Sequence, residues 1–290
     1  MDATAARIER ALTEAIEHVV VSGCPPRLAE AVRHAVFPGG ARVRPRLCIA
    51  VAAACGSKDV VAADAAASAI ELLHCASLVH DDLPCFDDSP LRRGVPSVHR
   101  AYGEPLAVLA GDALIILAFE HLARQLPDKP ALLAPLLLTV GRSAGMPHGI
   151  TAGQAWECEP TVSVEHYHRA KTGALFAAAT AAGAQVAGAD ADAWRVVGDK
   201  IGEAYQVADD LRDVAASAQE VGKPVGRDAL LNRPSAAGEL GVEGAVARLK
   251  GLVQEAIDAI PECPGRERFA EVLKHEARHI MPKSLAQQAA

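Results

Sequence analysis

Two acidic clusters stand out by their spacing. The first, His80-Asp81-Asp82-Leu83-Pro84-Cys85-Phe86-Asp87-Asp88, puts four carboxylates within eight residues directly after a long apolar segment. Carboxylates this close repel one another unless something cationic sits between them. An isolated aspartate pair at a helix end is usually just solvated, but a pair ending an apolar helix belongs at the lip of a cavity. Continued helix would point Asp87 well away from Asp81. Pro84 breaks the helix, and a turn after it can bring Asp87 back toward the pair. The second cluster is Gln206-Val207-Ala208-Asp209-Asp210-Leu211-Arg212-Asp213. Asp209 and Asp213 are i, i+4 and Asp210 and Asp213 are i, i+3, so they share one helical face, where like charges destabilise a bare helix. A hard divalent cation relieves that repulsion, and oxygen donors without His or Cys favour Mg²⁺, which keeps waters and shares its shell with substrate phosphates. One Asp-Asp-x-x-Asp is a weak signal. Two acidic clusters on apolar helices are a strong one.

Basic residues supply the other half of such a site. Arg42, Arg44 and Arg46 follow Gly39-Gly40, Arg92-Arg93 follow the first cluster, and Lys171-Thr172-Gly173, Lys223 and Arg227 lie in the second half. Any one of them alone reads as a solvated surface charge. Together, arginine forks and backbone turns near glycine suit diphosphate oxygens. The chain has no P-loop, no Gly-x-Ser-x-Gly, no His-Glu-x-x-His and no dinucleotide fingerprint.

The elements that must position these groups are helical. Alanine makes up roughly a fifth of the 290 residues, which with Leu, Glu and Arg is helix-forming composition. Periodicity and breakers predict helices over Ala5–Val21, Leu28–Val36, Pro45–Cys55, Ala62–His80, Pro105–Leu126, Leu132–Gly145, Glu165–Val186, Asp192–Asp213, Ala245–Ile260 and Arg266–Ile280. Ala62–His80 is apolar nearly all round, the mark of a helix at the centre of a bundle. The Gly/Pro-rich stretch Gly222–Gly241 reads as a surface loop beside the site. No compositional seam divides the chain, so residues 1–290 are expected to form a single all-α domain. The formal charge of -7 argues against nucleic acid as a partner. Seven scattered cysteines without a Cys-x-x-Cys pair read as buried thiols in a reducing compartment. Acidic residues at the N-terminus argue against a signal peptide, and no apolar run approaches the ~18 residues that span a bilayer. The expectation is a soluble, cytoplasmic protein without stable membrane insertion.

These motifs, in this order, resemble the trans-isoprenyl diphosphate synthases, or polyprenyl synthetases. The resemblance runs from Gly39-Gly40-Ala41-Arg42-Val43-Arg44-Pro45 to Gly222-Lys223-Pro224-Val225-Gly226-Arg227-Asp228 and covers nearly the whole chain. Asp81-Asp82-x-x-x-x-Asp87 with Leu91-Arg92-Arg93-Gly94 is similar to the family's first aspartate-rich motif. Asp209-Asp210-x-x-Asp213, preceded by Gln206, is similar to the second, and Gly153-Gln154 and Lys171-Thr172-Gly173 lie between them in order. The likeness is to the short-chain branch, in particular bacterial geranylgeranyl diphosphate synthases of carotenoid and bacteriochlorophyll pathways.

The resemblance implies a helical bundle around a deep cavity, with homodimerisation. It assigns the reaction to Asp81, Asp82, Asp87, Lys171, Asp209 and Lys223. Three Mg²⁺ would bridge Asp81, Asp82, Asp87 and Asp209 to an allylic diphosphate (dimethylallyl, geranyl or farnesyl), held by Arg92, Lys171 and Lys223 with Thr172 and Gln206 nearby. Isopentenyl diphosphate would sit on Arg44, His74 and Arg93; a polar residue satisfied inside a bundle is the plainer reading of His74. The sequence departs from the family at Ala41, where a lysine usually binds isopentenyl diphosphate. Loss of that contact would cost ~1.5–3 kcal/mol unless Arg42, Arg46 or His34 compensates. Glu157 stands for a usual aspartate and Arg227 for a lysine, both keeping the charge. Ala76 and Ser77, one turn before Asp81, are small where an aromatic residue would block the growing chain. A C20 product is therefore expected over C15, although simple helix packing explains small residues there as well. A farnesyl diphosphate synthase is the nearest alternative. A non-catalytic partner subunit would tend to lose metal aspartates, and a class I terpene cyclase would carry a different second motif and an aromatic cavity.

Overall fold

The computed structural model describes residues 2–161, 167–215 and 236–280. Lys223, Arg227 and the first part of the Gly222–Gly241 stretch lie outside the described residues. Among them run twelve α-helices: α1 (Ala3–Val19), α2 (Pro26–Val36), α3 (Val43–Ala54), α4 (Val60–Asp81), α5 (Val98–Tyr102), α6 (Glu104–Gln125), α7 (Pro130–Ala144), α8 (Ile150–Ala155), α9 (Ala174–Val186), α10 (Ala191–Ala215), α11 (Ala236–Asp258) and α12 (Arg266–Ile280). Local chemistry sets their starts. Asp2 accepts a hydrogen bond from Ala5 N at 2.8 Å, Asp59 accepts one from Ala62 N at 3.1 Å, and α2, α6 and α7 carry Pro in their first turn.

The all-α expectation holds, and α4 is the central helix. It buries the consecutive residues Ala65, Ala66, Ala67, Ser68, Ala69 and Ile70, so it is covered on every side, and it packs against α3, α6 and α9. Its alanines let neighbours approach closely. The same device recurs where α9 meets α3: a Cβ on Gly183 would come 2.4 Å from Cys48 O. One continuous core takes in Leu12, Leu47, Leu114, Leu136, Phe176, Trp194 and Phe269, and a satellite core joins α10 to α11 through Ala208, Leu211, Ala245 and Leu249.

Several elements differ from the sequence reading. A two-stranded hairpin, β1 (Leu91–Arg92) and β2 (Val95–Pro96), follows the first acidic cluster, its turn made by Arg93 and Gly94, both at positive φ. Two strands of two residues are too short to show alternation. The helix expected from Glu165 enters α9 through a π-helical turn, Arg169–Gly173. The Gly222–Gly241 stretch is not all loop: α11 starts at Ala236 and kinks at Gly241, where φ is 68°. The expectation that no run approaches a membrane span is also corrected. α4 and α6, 22 residues each, are long and apolar enough to cross one by length and composition. Most of α4 is instead buried as the core of the bundle.

Candidate active site

At its C-terminal end α4 opens into a cavity of about 780 Å³. The helix stops at Asp81, three residues before Pro84, and the chain turns back on itself. Asp87 N donates to Asp81 O at 2.9 Å, Asp88 N to Leu83 O at 3.0 Å and Ser89 N to Asp82 O at 3.2 Å. This is the return anticipated from Pro84, and it sets Asp81 and Asp87 on the same cavity wall. Asp82 goes elsewhere. Consecutive helical residues project about 100° apart, so with Asp81 on the cavity Asp82 is driven into the wall, 2% exposed. There Arg92 grips it: Nε donates to its two oxygens at 3.0 and 3.1 Å, and Nη2 adds a short bond to Oδ1. Asp82 does not line this cavity, contrary to the expectation that it shares the metal with its neighbours.

Asp81 is held from three sides. Gln154 Nε2 donates to its Oδ1 at 3.0 Å, Lys171 Nζ lies 3.4 Å from the same oxygen, and Arg92 Nη2 lies 3.7 Å from Oδ2. Burial alone would raise this carboxyl, but Lys171 and Arg92, helped by the Gln154 amide, hold it below the usual carboxylate range. For Asp82, burial wins over the Arg92 bond and the carboxyl is pushed up, with Asp81 and Asp87 adding repulsion.

The adjoining wall comes from the π-helical turn and α10. The turn carries Lys171, whose Nζ is 2.5 Å from Glu157 Oε1; Tyr167 donates to the same oxygen at 2.6 Å. Gly153 of α8 makes room for this: a Cβ there would come 2.3 Å from Lys171 N. Thr172 donates to Gln206 Oε1 at 2.7 Å, and Gln206 Nε2 donates to Asp210 Oδ1 at 2.8 Å. Asp210 is buried, and its other oxygen accepts from Ala236 N at 2.7 Å, fixing the start of α11. Asp209 lines the cavity.

A third side is cationic. Arg44, 8% exposed, has its guanidinium 4.3 Å from the Phe176 ring centre and 5.7 Å from that of Tyr205. Its Nη1 donates to His74 Nε2 at 3.3 Å. Burial, reinforced by Arg44 and Arg93, pushes His74 well below its ordinary value, so the ring is neutral and accepts. Burial also lowers Arg44. Arg44 Nε, Arg93 Nη1 and Arg212 Nη2 are buried without a hydrogen-bond partner. Ala41 lines this side as well, and none of the residues expected to compensate for it is available. Arg42 is spent on Glu9 at 2.8 Å, Glu71 at 2.8 Å and Val36 O at 2.7 Å. Arg46 pairs with Asp2 at 2.7 Å and Glu276 at 3.4 Å. His34 bonds Pro96 O at 2.7 Å, away from the cavity.

Below the polar rim the lining turns apolar. Ala76 and Ser77 are both on it, with Leu73, Ile115, Ala144 and Leu175. The structure thus brings Arg44, His74, Ala76, Ser77, Asp81, Asp87, Arg92, Arg93, Lys171, Thr172, Gln206 and Asp209 to one cavity. Sequence reasoning missed the tether of Lys171 by Tyr167 and Glu157, and it missed Tyr205 and Arg212. The last two had a signal: they stand four residues before and three after Asp209, on its helical face.

The donor set fits a hard cation: Asp81, Asp87 and Asp209 bring carboxylates to the cavity, while Glu71, which also lines it, is engaged by Arg42 at 2.8 Å. Among the described residues no three His, Cys, Asp or Glu side chains form a ready-made cage. That suits Mg²⁺ arriving with a diphosphate that completes its shell, more than an ion caged by protein alone.

Comparison with known proteins agrees with this geometry. The polyprenyl synthetase family model matches residues 25–267. The chain is 53% identical over 280 residues to a geranylgeranyl diphosphate synthase of Cereibacter sphaeroides, covering 97% of each. It is 50% identical over 275 residues to one of Rhodobacter capsulatus, covering 95% of each. Among solved structures, a geranyltransferase of Helicobacter pylori complexed with magnesium and isoprenyl diphosphate superposes with a TM-score of 0.80 at 27% identity, over 95% of this chain and 98% of that one. With two aspartate clusters and unsatisfied guanidinium groups converging on an apolar cavity, and a match through most of its length, the chain belongs to the polyprenyl synthetase family.

Proposed function

We propose that the protein condenses isopentenyl diphosphate head to tail with allylic diphosphates and releases geranylgeranyl diphosphate. The observation that carries this reading is the two-sided polar rim: carboxylates with Lys171 and Arg92 on one side, arginines with unpartnered buried N–H groups on the other, and an apolar shaft below. An allylic diphosphate lies with its head between the aspartates and its tail in the shaft. Lys171 and Arg92 donate to its oxygens, with Thr172, Gln206 and, from the family likeness, Lys223 nearby. Asp81, Asp87 and Asp209 would hold Mg²⁺, three ions by that likeness, which would supply positive charge to stabilise the departing diphosphate.

Isopentenyl diphosphate lies on Arg44, Arg93 and neutral His74. The allylic C1–O bond breaks with its electron pair going to diphosphate, leaving an allylic cation. The C3–C4 double bond of isopentenyl diphosphate attacks C1, forming the new C–C bond, and C2 loses a proton as the new double bond closes. The released diphosphate is the base. The apolar walls keep water off the cation, so its fate is coupling and not hydrolysis. Asp82 acts through Arg92, as a positioning residue.

A soluble, cytoplasmic homodimer is the form we favour. α6 exposes Val108, Leu109 and Ile116, a face a second copy would cover. The test of function is direct: purified protein with Mg²⁺, labelled isopentenyl diphosphate and dimethylallyl, geranyl or farnesyl diphosphate in turn, the products dephosphorylated and separated by length. A C20 alcohol from all three starters is expected. A stop at C15 with farnesyl diphosphate inert identifies a farnesyl diphosphate synthase, and no product from any starter refutes the reading in favour of a partner subunit.

A further inference from the structure

Arg212 is a cation on the cavity that the reaction above does not use. Its Nε donates to Ala208 O at 3.3 Å, which anchors the side chain along its own helix. Its guanidinium lies 5.3 Å from the Tyr205 ring centre. Its Nη2 is 3.7 Å from Asp209 Oδ1, beyond hydrogen-bond reach, and is buried without a hydrogen-bond partner. A guanidinium N–H left unmade in a wall costs free energy, and a cavity that gathers several such groups is complementary to an anion.

Tyr205 links the two cations: Arg44 and Arg212 lie 5.7 and 5.3 Å from its ring centre, which puts both guanidinium groups on one stretch of the cavity wall, beside Asp209. Arg93 contributes a third unpartnered N–H on the same cavity, while Ala41 contributes only a methyl group. We propose that Arg212 is a substrate-binding residue for the diphosphate of isopentenyl diphosphate, completing with Arg44 and Arg93 a three-arginine site in which Arg212 supplies the charge that Ala41 does not. Its fork suits two diphosphate oxygens, and its anchoring at Ala208 spares it the ordering cost a free surface arginine would meet.

This rests on the functional reading above, and the experiment separates the two. Isopentenyl diphosphate is titrated calorimetrically into the full-length protein without an allylic partner, so no turnover occurs; geranyl diphosphate with Mg²⁺ is titrated separately. For Arg212→Met, the isopentenyl diphosphate Kd is expected to rise about ten- to a hundredfold, with the geranyl diphosphate Kd within about twofold, and adding Ala41→Lys to recover most of the loss. An unchanged isopentenyl diphosphate Kd, or equal weakening of both ligands, overturns the assignment while leaving the function intact. Wild-type protein that fails to bind isopentenyl diphosphate overturns the functional reading and the assignment with it. If Arg212→Met does not fold, Arg212→Lys reads the same quantity: a partial, selective loss supports the role, and wild-type affinity refutes it.

Discussion

Ala76→Phe tests whether the apolar shaft measures the product. Ala76 is 1% exposed yet lines the cavity, so an added ring has two places to go. It lies five residues before Asp81, about 7.5 Å down the α4 axis at 1.5 Å per residue. A ring projecting into the shaft at that depth obstructs the tail about one and a half helical turns below the metal-facing carboxylate. A ring forced into the helix contacts instead overpacks the core, at ~1–3 kcal/mol. For a chain of this size each kcal/mol moves Tm by roughly 2–4 °C, so core insertion lowers Tm by about 2–12 °C. The two measurements separate the cases. Product analysis with dimethylallyl and farnesyl diphosphate should show a shift from C20 to C15 or shorter, with loss of activity on farnesyl diphosphate, while calorimetry shows Tm within a few degrees. An unchanged C20 product with a lowered Tm would show Ala76 to be a packing residue and place the floor elsewhere.

Asp82→Asn should leave the Mg²⁺ concentration for half-maximal rate unchanged while lowering kcat about 10–100-fold, as loss of a supporting partner does; Asp81→Asn and Asp87→Asn should raise the Mg²⁺ requirement, and an equal rise for Asp82→Asn would make it a ligand after all. Acid should destabilise the fold through His121, which is 2% exposed and pushed by burial, with Arg124 beside it, from 6.5 down to about 4. Between those values the unfolded chain binds the proton and the folded chain does not, so stability falls as pH drops through the window, by ~3 kcal/mol. Urea midpoints at pH 7, 5.5 and 4 should show this loss, and His121→Gln should flatten it; an identical acid dependence in the variant would exclude His121 as its source. On α6, Leu109→Glu with Ile116→Glu should give a monomer by sedimentation. A two-fold interface counts each residue twice and burial of such a side chain is worth ~1.5–3 kcal/mol, so an unchanged assembly would place the interface elsewhere.

The helices were legible because their breakers are local: Gly23 with Pro25-Pro26 ends α1, and Phe37-Pro38-Gly39-Gly40 ends α2. The return of Asp87 to Asp81 was legible for the same reason, through Pro84. The tether of Lys171 was not. It depends on α8 pressing Gly153 onto the π turn, a tertiary contact between segments with no shared periodicity. The failure of Arg42 and Arg46 to stand in for Ala41 was equally hidden, because charge counted along the chain does not reveal that Glu9, Glu71, Asp2 and Glu276 claim those cations.

Reading each motif as a set of equivalent ligands overlooked what a helix does to adjacent residues. Two consecutive aspartates on a helix diverge by about 100°, so a pair cannot present both carboxylates equally to one cavity. In both motifs here the first residue lines the cavity and the second is buried: Asp82 on Arg92, and Asp210 on Gln206 and the first N–H of α11. The buried partner ties the motif to the segment that carries the next functional group. Asp82 fixes the hairpin bearing Arg92 and Arg93; Asp210 orients Gln206, which accepts from Thr172. A doubled aspartate therefore couples a ligand to an anchor. Substituting the second member should loosen the geometry of the opposing cations while leaving the charge that faces the cavity in place.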